Sequence, residues 1–440
     1  MSRRKLKRDM LLLCQFFYPE HNSSAMLPYD TAVYLAQSGL STDVMCGTPK
    51  EYTDQKSVPS HETLHGVNIH RIKYAQFDRK SRLGRLINYF SFTFHVLLHI
   101  REIGQHRAVM VYSNPPILPL AAVLANKLYG TEIIFVAYDL YPEIALAMDS
   151  IRAGSLIDRT MQFVNRSMFR RASRVVALTE EMKDRIAELH PEFPPGRIVT
   201  ISNWAHEGTS PASAESYTRF GYAPEDFIVS YFGSMGICQE METFLRAAEA
   251  LKDENTIHFL IAGHGSKQEA VRTRTKSLVN VQVLDFITDA EFEQAMAISS
   301  CCVVTLEPGL KGLCAPSKYY SYLQAGKAVL SVTESDSYLA EEITRERLGA
   351  AVSVGDVTAL AAAIKDLKAN REAYAEMCRR AANLYRTNYS KELGLKSYAA
   401  MCRAVLEETA EWQSTQIADN KKETEQENGY ESIKREHQFH

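Results

Sequence analysis

Apolar runs of strand length alternate with segments of helical period along this chain, the pattern of parallel sheets joined by crossover helices. In the first half, Met10–Phe17, Ser41–Cys46, Ala108–Tyr112, Glu132–Ala137, Arg174–Leu178 and Ile198–Ser202 read as strands. Helices are expected over Tyr29–Gln37, Leu83–Ile103, Leu118–Leu128, Ser155–Arg171 and Glu180–Leu189. The pattern restarts at Phe227–Phe232 and continues through Ile257–Ile261, Val281–Leu284, Ser300–Leu306, Ala328–Val332 and Ala350–Val352, with helices between. The stretch from Trp204 to Glu225, rich in Gly, Ser, Ala, Pro and Tyr, marks the boundary. The expected units are 1–205, 206–391, a final helix over 392–411 and a polar, disordered tail over 412–440.

Composition narrows the class. At 440 residues, 45% hydrophobic and 23% charged, the chain is long enough for two or three cores and is neither disordered nor disulfide-stapled. The net charge of −3 hides an uneven distribution: Glu407 to His440 holds nine acidic and four basic residues, which leaves the body at +2. Cysteines 14, 46, 238, 301, 302, 314, 378 and 402 form no CxxC pair and no zinc spacing with the histidines. No metal site is expected, and a reducing cytoplasm is. Basic Arg3, Arg4, Lys5, Lys7 and Arg8 precede the first apolar run, but that run ends in Tyr18-Pro19-Glu20 without a small-residue cleavage site. It reads as a buried strand, not a signal peptide. No apolar run is long enough to span a bilayer.

Open parallel sheets bind ligands at the carboxyl ends of their strands, so the loops there are the candidates. After the first strand comes Tyr18-Pro19-Glu20-His21-Asn22-Ser23-Ser24 in place of a Gly-x-Gly-x-x-Gly turn, which argues against a nicotinamide or flavin enzyme. Glu132–Ala137 ends in Tyr138-Asp139-Leu140-Tyr141-Pro142-Glu143, a polar cluster suited to sugar hydroxyls. In the second half, Gly233-Ser234-Met235-Gly236 and Gly263-His264-Gly265 follow strands directly, fit for backbone approach to phosphate or ribose. The unit Val303–Val332 reads as strand, loop, helix, glycine stop and strand. Pro316 and Ser317 stand in the first turn, and Lys318 adds a charge at a helix start. Two glycine turns and this loop together describe a nucleotide-diphosphate pocket. Glu307, at the end of the preceding strand, is placed to contact ribose or stand in solvent.

One segment is unusually apolar and aromatic. Arg79, Lys80, Arg82 and Arg85 lead into Leu86–Ile100, with Tyr89, Phe90 and Phe92 within it, and the segment reads as an interfacial membrane anchor or a buried crossover helix. Arg152, Arg159, Arg166, Arg170 and Arg171 would extend the basic face toward anionic lipid.

The order of these motifs carries a resemblance. Phe17-Tyr18-Pro19-Glu20, Ser113-Asn114-Pro115-Pro116, Asp139 to Glu143, Ala177-Leu178-Thr179-Glu180-Glu181-Met182 and Ile201-Ser202-Asn203-Trp204 precede Phe232 to Gly236, Ala262 to Gly265, and Pro316-Ser317-Lys318 through Gly326. Over residues 10 to about 410, the chain resembles the retaining glycosyltransferases of family 4, in particular their colanic-acid and O-antigen exopolysaccharide branch. The resemblance implies an α/β GT-B fold: two Rossmann-like doubly wound domains facing a cleft, with the final helix crossing back to the first. It implies an acceptor-binding first domain, a donor-binding second domain, and a nucleotide-diphosphate sugar as substrate, with no cofactor and no metal. It further implies transfer of a hexose or N-acetylhexosamine-type sugar to a lipid-linked glycan, peripherally on the inner face of the cytoplasmic membrane.

On that reading Lys318, Asp139 and Glu143 are the catalytic candidates. Gly233, Ser234, Gly236, Gly263, Gly265, Glu307, Pro316 and Ser317 would hold the donor, and Glu20, His21, Asn22 and Tyr138 the acceptor. Arg82, Arg85, Tyr89, Phe90 and Phe92 would meet the membrane. No nucleic-acid partner is expected. Two departures stand out. Leu313 and Ser321 occupy places where many members carry Glu, and Ile237 to Glu242 supplies neither the Arg nor the Lys common after the first glycine turn. A catalytically silent subunit that positions a partner transferase and a sugar-nucleotide 2-epimerase are the alternatives.

Overall fold

The computed structural model describes residues 7–50, 58–78, 82–205, 208, 211–285 and 287–409, without the Arg82 side chain. The first sheet comprises β1 (Arg8–Leu13), β2 (Thr42–Gly47), β3 (His61–Leu64), β4 (Val67–Ile72), β5 (His106–Tyr112), β6 (Glu132–Val136), β7 (Ala172–Ala177) and β8 (Ile198–Thr200). Its order is β3-β4-β2-β1-β5-β6-β7-β8, parallel except for the antiparallel β3–β4 edge. The second comprises β9 (Phe227–Phe232), β10 (Ile257–Ala262), β11 (Val281–Leu284), β12 (Cys301–Thr305), β13 (Ala328–Thr333) and β14 (Gly349–Ser353). It runs β11-β10-β9-β12-β13-β14, parallel throughout.

Both faces of each sheet are covered, which is why the strands read as continuous apolar runs rather than alternating ones. In the first sheet Leu11, Leu13, Val109, Val111, Ile133 and Phe135 face one helical layer. Met10, Leu12, Ala108, Met110, Ile134 and Val136 face the other. Each such Leu, Ile, Val, Met or Phe side chain taken from water contributes about 1.5–3 kcal/mol. The expected strand Met10–Phe17 pairs only to Leu13, while Cys14, Phe16 and Phe17 continue as a buried loop, apolar because of packing. The β3–β4 hairpin was not apparent from hydropathy, since His61-Glu62-Thr63-Leu64 is short and polar. Its two-residue turn, His65-Gly66, has positive φ at both positions (49° and 83°), as a tight hairpin requires.

A final helix, described over 391–409, leaves the second unit and lies on the first sheet beside helix Ser23–Gln37. Leu395, Tyr398, Met401, Cys402, Val405 and Leu406 enter that core. Arg107 donates to the Leu406 carbonyl (2.7 Å) and Arg403 to that of Ser38 (2.8 Å). Asp30 accepts from the Trp204 indole (3.0 Å) and pairs with Lys391 (3.0 Å). Gly394 sits against the Trp204 ring, where a Cβ would come within 2.6 Å of Cε3, so the helix carries a glycine there despite its propensity cost. The tail over 412–440 lies outside the described residues.

The apolar aromatic segment forms helix Arg82–Leu98, then breaks at His99 before the short helix Ile100–Ile103. Leu83, Ile87, Phe90, Phe94 and Leu98 fall at helical spacing on one outward stripe, with Phe94 59% and Leu98 65% exposed. Phe92 is wholly buried with Val96 in the core, so its assignment to a membrane face is corrected: it turns away from the stripe. Phe90 is on the stripe, and Arg85 and Tyr89 are half-buried beside it. Helix Pro119–Tyr129 packs between this helix and Leu156–Phe169, which adds exposed Leu128, Leu156 and Phe163 to the same layer. No described helix is long and apolar enough to cross a membrane.

Candidate active site

The carboxyl ends of β9, β10 and β12 bring the second unit's loops together. Gly263 has φ +149°, and a Cβ there would lie 1.9 Å from the Gly233 carbonyl oxygen; at Gly265 (φ +144°) it would lie 2.4 Å from that of Met235. These glycines are needed first for the two turns to nest on each other. The turns are also cross-bonded. Gly233 N–H donates to the Ala262 carbonyl (2.9 Å), Met235 N–H to that of His264 (2.7 Å), and Gly236 N–H to the Gln239 side chain (2.8 Å). Of this loop's amides, the Ser234 N–H alone has no partner among the described residues.

Lys318 rises from the first residue of the seven-residue helix Lys318–Gln324 and reaches back over the first glycine turn. Its Nζ lies 3.7 Å from the centre of the Tyr231 ring and 3.4 Å from the Ser234 carbonyl, whose oxygen also accepts from the Tyr231 hydroxyl (2.6 Å). No carboxylate pairs with it among the described residues. Burial alone brings its ammonium pKa down to about 7. The helix starts tightly: Tyr319 and Tyr320 donate to the Pro316 and Ser317 carbonyls. The Tyr319 and Tyr320 amides are therefore not available to an anion, which leaves the Lys318 charge, the Ser234 N–H and the Ser317 and Lys318 N–H groups without a hydrogen-bond acceptor of their own among the described residues, apart from the Lys318 contact to the Ser234 carbonyl. Gly326 (φ +63°) ends the helix in the left-handed conformation.

The helix is held from behind by a buried carboxylate. Glu342 accepts from the hydroxyls of Tyr319 (2.6 Å), Tyr338 (2.8 Å) and Tyr389 (2.5 Å). Glu307 is not a free ribose ligand. It pairs with Lys267 (2.5 Å), which also donates to the Gln239 carbonyl (2.6 Å). Lys267 is a second cation of this loop cluster that sequence reasoning passed over. The only signal for it was its position two residues beyond the Gly263-His264-Gly265 turn.

The two units meet directly. Asp139 and Cys314 form an isolated antiparallel bridge, and Leu140 N–H donates to the Leu313 carbonyl (2.9 Å). Glu181 accepts from Gly312 N–H (2.9 Å) and from Tyr338 N–H at a helix start (2.8 Å). Leu310 and Leu313 insert their side chains into the first unit's core, Leu313 being 4% exposed. Leu313 is thus a buried apolar plug, which no carboxylate could replace without a partner. Ser23 and Ser317 face each other at 3.5 Å, and His21 pairs with Asp289 across the same seam (3.2 Å).

On the first unit's side, the Ser113 hydroxyl accepts from the backbone N–H groups of Tyr138 and Asp139 (3.1 and 3.2 Å), which fixes the loop beside Cys314. Desolvation raises Asp139 to about 6 and pushes Glu143 above its ordinary range. Both line a narrow internal cavity with Tyr141, Asn165 and His190. Tyr138 packs on Tyr112 (5.2 Å between ring centres). One acceptor assignment is corrected. Glu20 is buried (3% exposed) beside Cys14 and Cys46, out of an acceptor's reach. Asn22 is half-buried, and its side-chain oxygen Oδ1 caps helix Ser23–Gln37 by accepting from Ala25 N–H (3.0 Å). The Tyr18-Pro19, Asn114-Pro115 and Tyr141-Pro142 peptides are cis.

Comparisons with known proteins agree with this architecture. Residues 28–204 match the model of the glycosyl transferase 4-like domain, and residues 226–370 that of the glycosyl transferases group 1. The chain is 25% identical over 307 residues to a protein described as probable glycosyltransferase WbjE of Pseudomonas aeruginosa, covering 68% of this chain and 75% of that protein. Among solved structures, HepE of Anabaena in complex with UDP-glucose superposes with TM-score 0.67 at 13% identity, over 90% of this chain and 100% of that one. WaaG, titled a glycosyltransferase involved in lipopolysaccharide biosynthesis, gives TM-score 0.64 at 13% identity, over 89% and 99%. Two parallel-sheet units, a C-terminal helix folded back on the first of them, and both matched domain models establish that this chain belongs to the GT-B glycosyltransferases of the family 4 type.

Proposed function

We propose that this glycosyltransferase moves a hexose or N-acetylhexosamine-type sugar from a nucleotide-diphosphate donor to a lipid-linked glycan, with retention and without a metal, in polysaccharide or O-antigen synthesis. The observation that carries the reading is Lys318: a half-buried ammonium without a carboxylate partner among the described residues, over a nested pair of glycine turns and beside the seam between the units. Breaking the anomeric C–O bond leaves negative charge on the departing diphosphate. A preorganised cation and the Ser234 N–H would meet that charge as it develops. HepE, named as a complex with UDP-glucose, supports a nucleotide sugar as the donor class.

On the acceptor side, Asp139 is ionised at neutral pH and stands where the two units touch, suited to orient the attacking hydroxyl; the leaving phosphate takes its proton. The outward stripe of Leu83, Ile87, Phe90, Phe94 and Leu98, with exposed Arg159 and Arg166 on helix Leu156–Phe169 and Arg170 at its end, supports peripheral attachment to an anionic membrane face. We place the protein on the cytoplasmic side, where nucleotide sugars and lipid-linked acceptors meet.

The direct test is incubation of the purified protein with UDP-, GDP- and dTDP-sugars, with and without a lipid-linked glycan, following release of nucleoside diphosphate. One donor should be turned over, and Lys318→Ala should lower turnover about a hundredfold without lowering the melting temperature. No turnover of any donor, or near-normal turnover by Lys318→Ala, would overturn the assignment. Epimerised donor without acceptor would instead favour an isomerase.

A further inference from the structure

Far from the loops just described, the edge of the first sheet gathers imidazoles. His61 and His70 are directly paired across β3 and β4, and their rings stack with centres 4.0 Å apart. His99, at the break after helix Arg82–Leu98, meets the His70 ring edge-on at 4.8 Å. Glu102, one turn later, places Oε2 3.0 Å from His70 Nδ1 and 3.5 Å from His99 Nδ1. Among the described residues this is the one group of three metal-ligating side chains whose donor atoms converge, all within 4.8 Å of one another.

We propose that His70, His99 and Glu102 form a structural site for a divalent transition metal of the zinc class, tying the β3–β4 edge to the end of helix Arg82–Leu98. Three considerations support it. Zinc bonds to imidazole nitrogen and carboxylate oxygen are about 2.0–2.2 Å, and the edge of a tetrahedron of that radius is about 3.3 Å. The two Nδ1–Oε2 separations bracket that value. Both Nδ1 atoms also point at a single carboxylate oxygen. A hydrogen-bonded arrangement needs a proton on each Nδ1, whereas one cation satisfies both lone pairs and the carboxylate together. The donor set is two nitrogens and one oxygen, which suits zinc, nickel or copper, while calcium and magnesium take six or more oxygens. His99 and Glu102 are about two-fifths exposed on the side-chain scale, so solvent can enter and complete the fourth position.

Each ligand comes from a separate local structure: the strand next to the sheet edge, the residue at a helix break, and the short helix that follows. An ion there would fix how the striped helix leaves the sheet. The inference rests on these residues alone, so it stands or falls independently of the transfer reaction.

Tag-free protein stripped with chelator and then titrated with Zn²⁺ tests it, by calorimetry and by melting temperature. One equivalent should bind and raise the melting temperature, and Mg²⁺ should do neither. His99→Ala and Glu102→Gln should each weaken Zn²⁺ binding by at least about tenfold. His95→Ala, one turn earlier and bonded to the Ser91 carbonyl (2.7 Å), should leave it unchanged. Melting of the metal-free variants near the wild-type temperature separates lost ligation from lost fold; His99→Ala, at a half-exposed position, serves if Glu102→Gln is destabilised. Absence of a stoichiometric Zn²⁺ site in the wild type, or equal binding by both ligand variants, would overturn the proposal.

Discussion

Raising the pH from 7 to 9 should loosen the grip of this protein on a nucleoside diphosphate, and Lys318→Arg should abolish that sensitivity. Burial against the Tyr231 ring and the glycine turns brings the Lys318 ammonium to a pKa of about 7 in the free protein. The sign follows from which form binds. The diphosphate attracts the charged lysine and lifts its pKa on binding, so affinity is greatest below 7 and falls as the free protein loses that proton. The phosphates contribute little slope there, since their second ionisation lies at about 6. A group half-charged at pH 7 is about one per cent charged at pH 9, so affinity should fall about fiftyfold over that interval if only the ammonium form binds. Arginine keeps its charge throughout, so Lys318→Arg should give a flat profile, and Lys318→Ala a weaker flat one. Calorimetric titration with UDP, GDP and dTDP at fixed ionic strength reads all three curves. A flat wild-type profile, or the same slope in Lys318→Arg, would refute the argument that this ammonium is the diphosphate ligand.

Three further outcomes follow from the same geometry. Because Asp139 must be ionised to orient a hydroxyl and its pKa is raised to about 6, kcat/KM should climb as pH rises through 6, and Asp139→Asn should lose that limb along with most activity. Truncating the plug with Leu313→Ala removes a buried side chain worth about 2–5 kcal/mol of packing, nearly all of it between the units. Small-angle scattering should then report a larger radius of gyration with secondary structure intact, and an unchanged radius would argue against the plug. Replacing Phe90 and Phe94 together by Ser should abolish flotation with anionic liposomes while leaving the melting temperature near that of the wild type. Phe92→Ala should do the reverse, lowering stability by about 3–5 kcal/mol while flotation persists.

What could be read from the sequence was whatever repeats locally. Doubly buried strands announce themselves as apolar runs, so both sheets were legible; the polar hairpin edge His61–Leu64 was not, because half its residues face solvent. The glycine turns were visible as Gly-Ser-Met-Gly and Gly-His-Gly, but the reason they are glycines was not. It lies in Gly263 packing on the Gly233 carbonyl and Gly265 on that of Met235, contacts between segments distant in the chain. The same holds for charge. Glu307 stood out at a strand end, but its partner Lys267 is forty positions away, and no local spacing links them. In the aromatic helix, hydropathy marked Phe90 and Phe92 alike; only the side of the helix each occupies tells the exposed one from the buried one.

Leu313 joins these strands of reasoning. In the chain it is a departure, an apolar residue where the resemblance leads one to expect a carboxylate. In the fold it is the point where the second unit enters the first unit's core, next in the chain to the backbone bridge that docks Asp139 against Cys314. Its neighbour Gly312 donates to Glu181, and its own carbonyl accepts from Leu140 N–H, across the seam. The loop that bears Lys318 is thus anchored on the acceptor side before any ligand arrives. An anchored loop holds a lone ammonium in place without help from a flanking carboxylate, and preorganisation of that kind is what stabilises charge developing in a transition state. The missing glutamate and the isolated lysine are two consequences of one arrangement, in which Leu313 supplies the fixed position and Lys318 the charge.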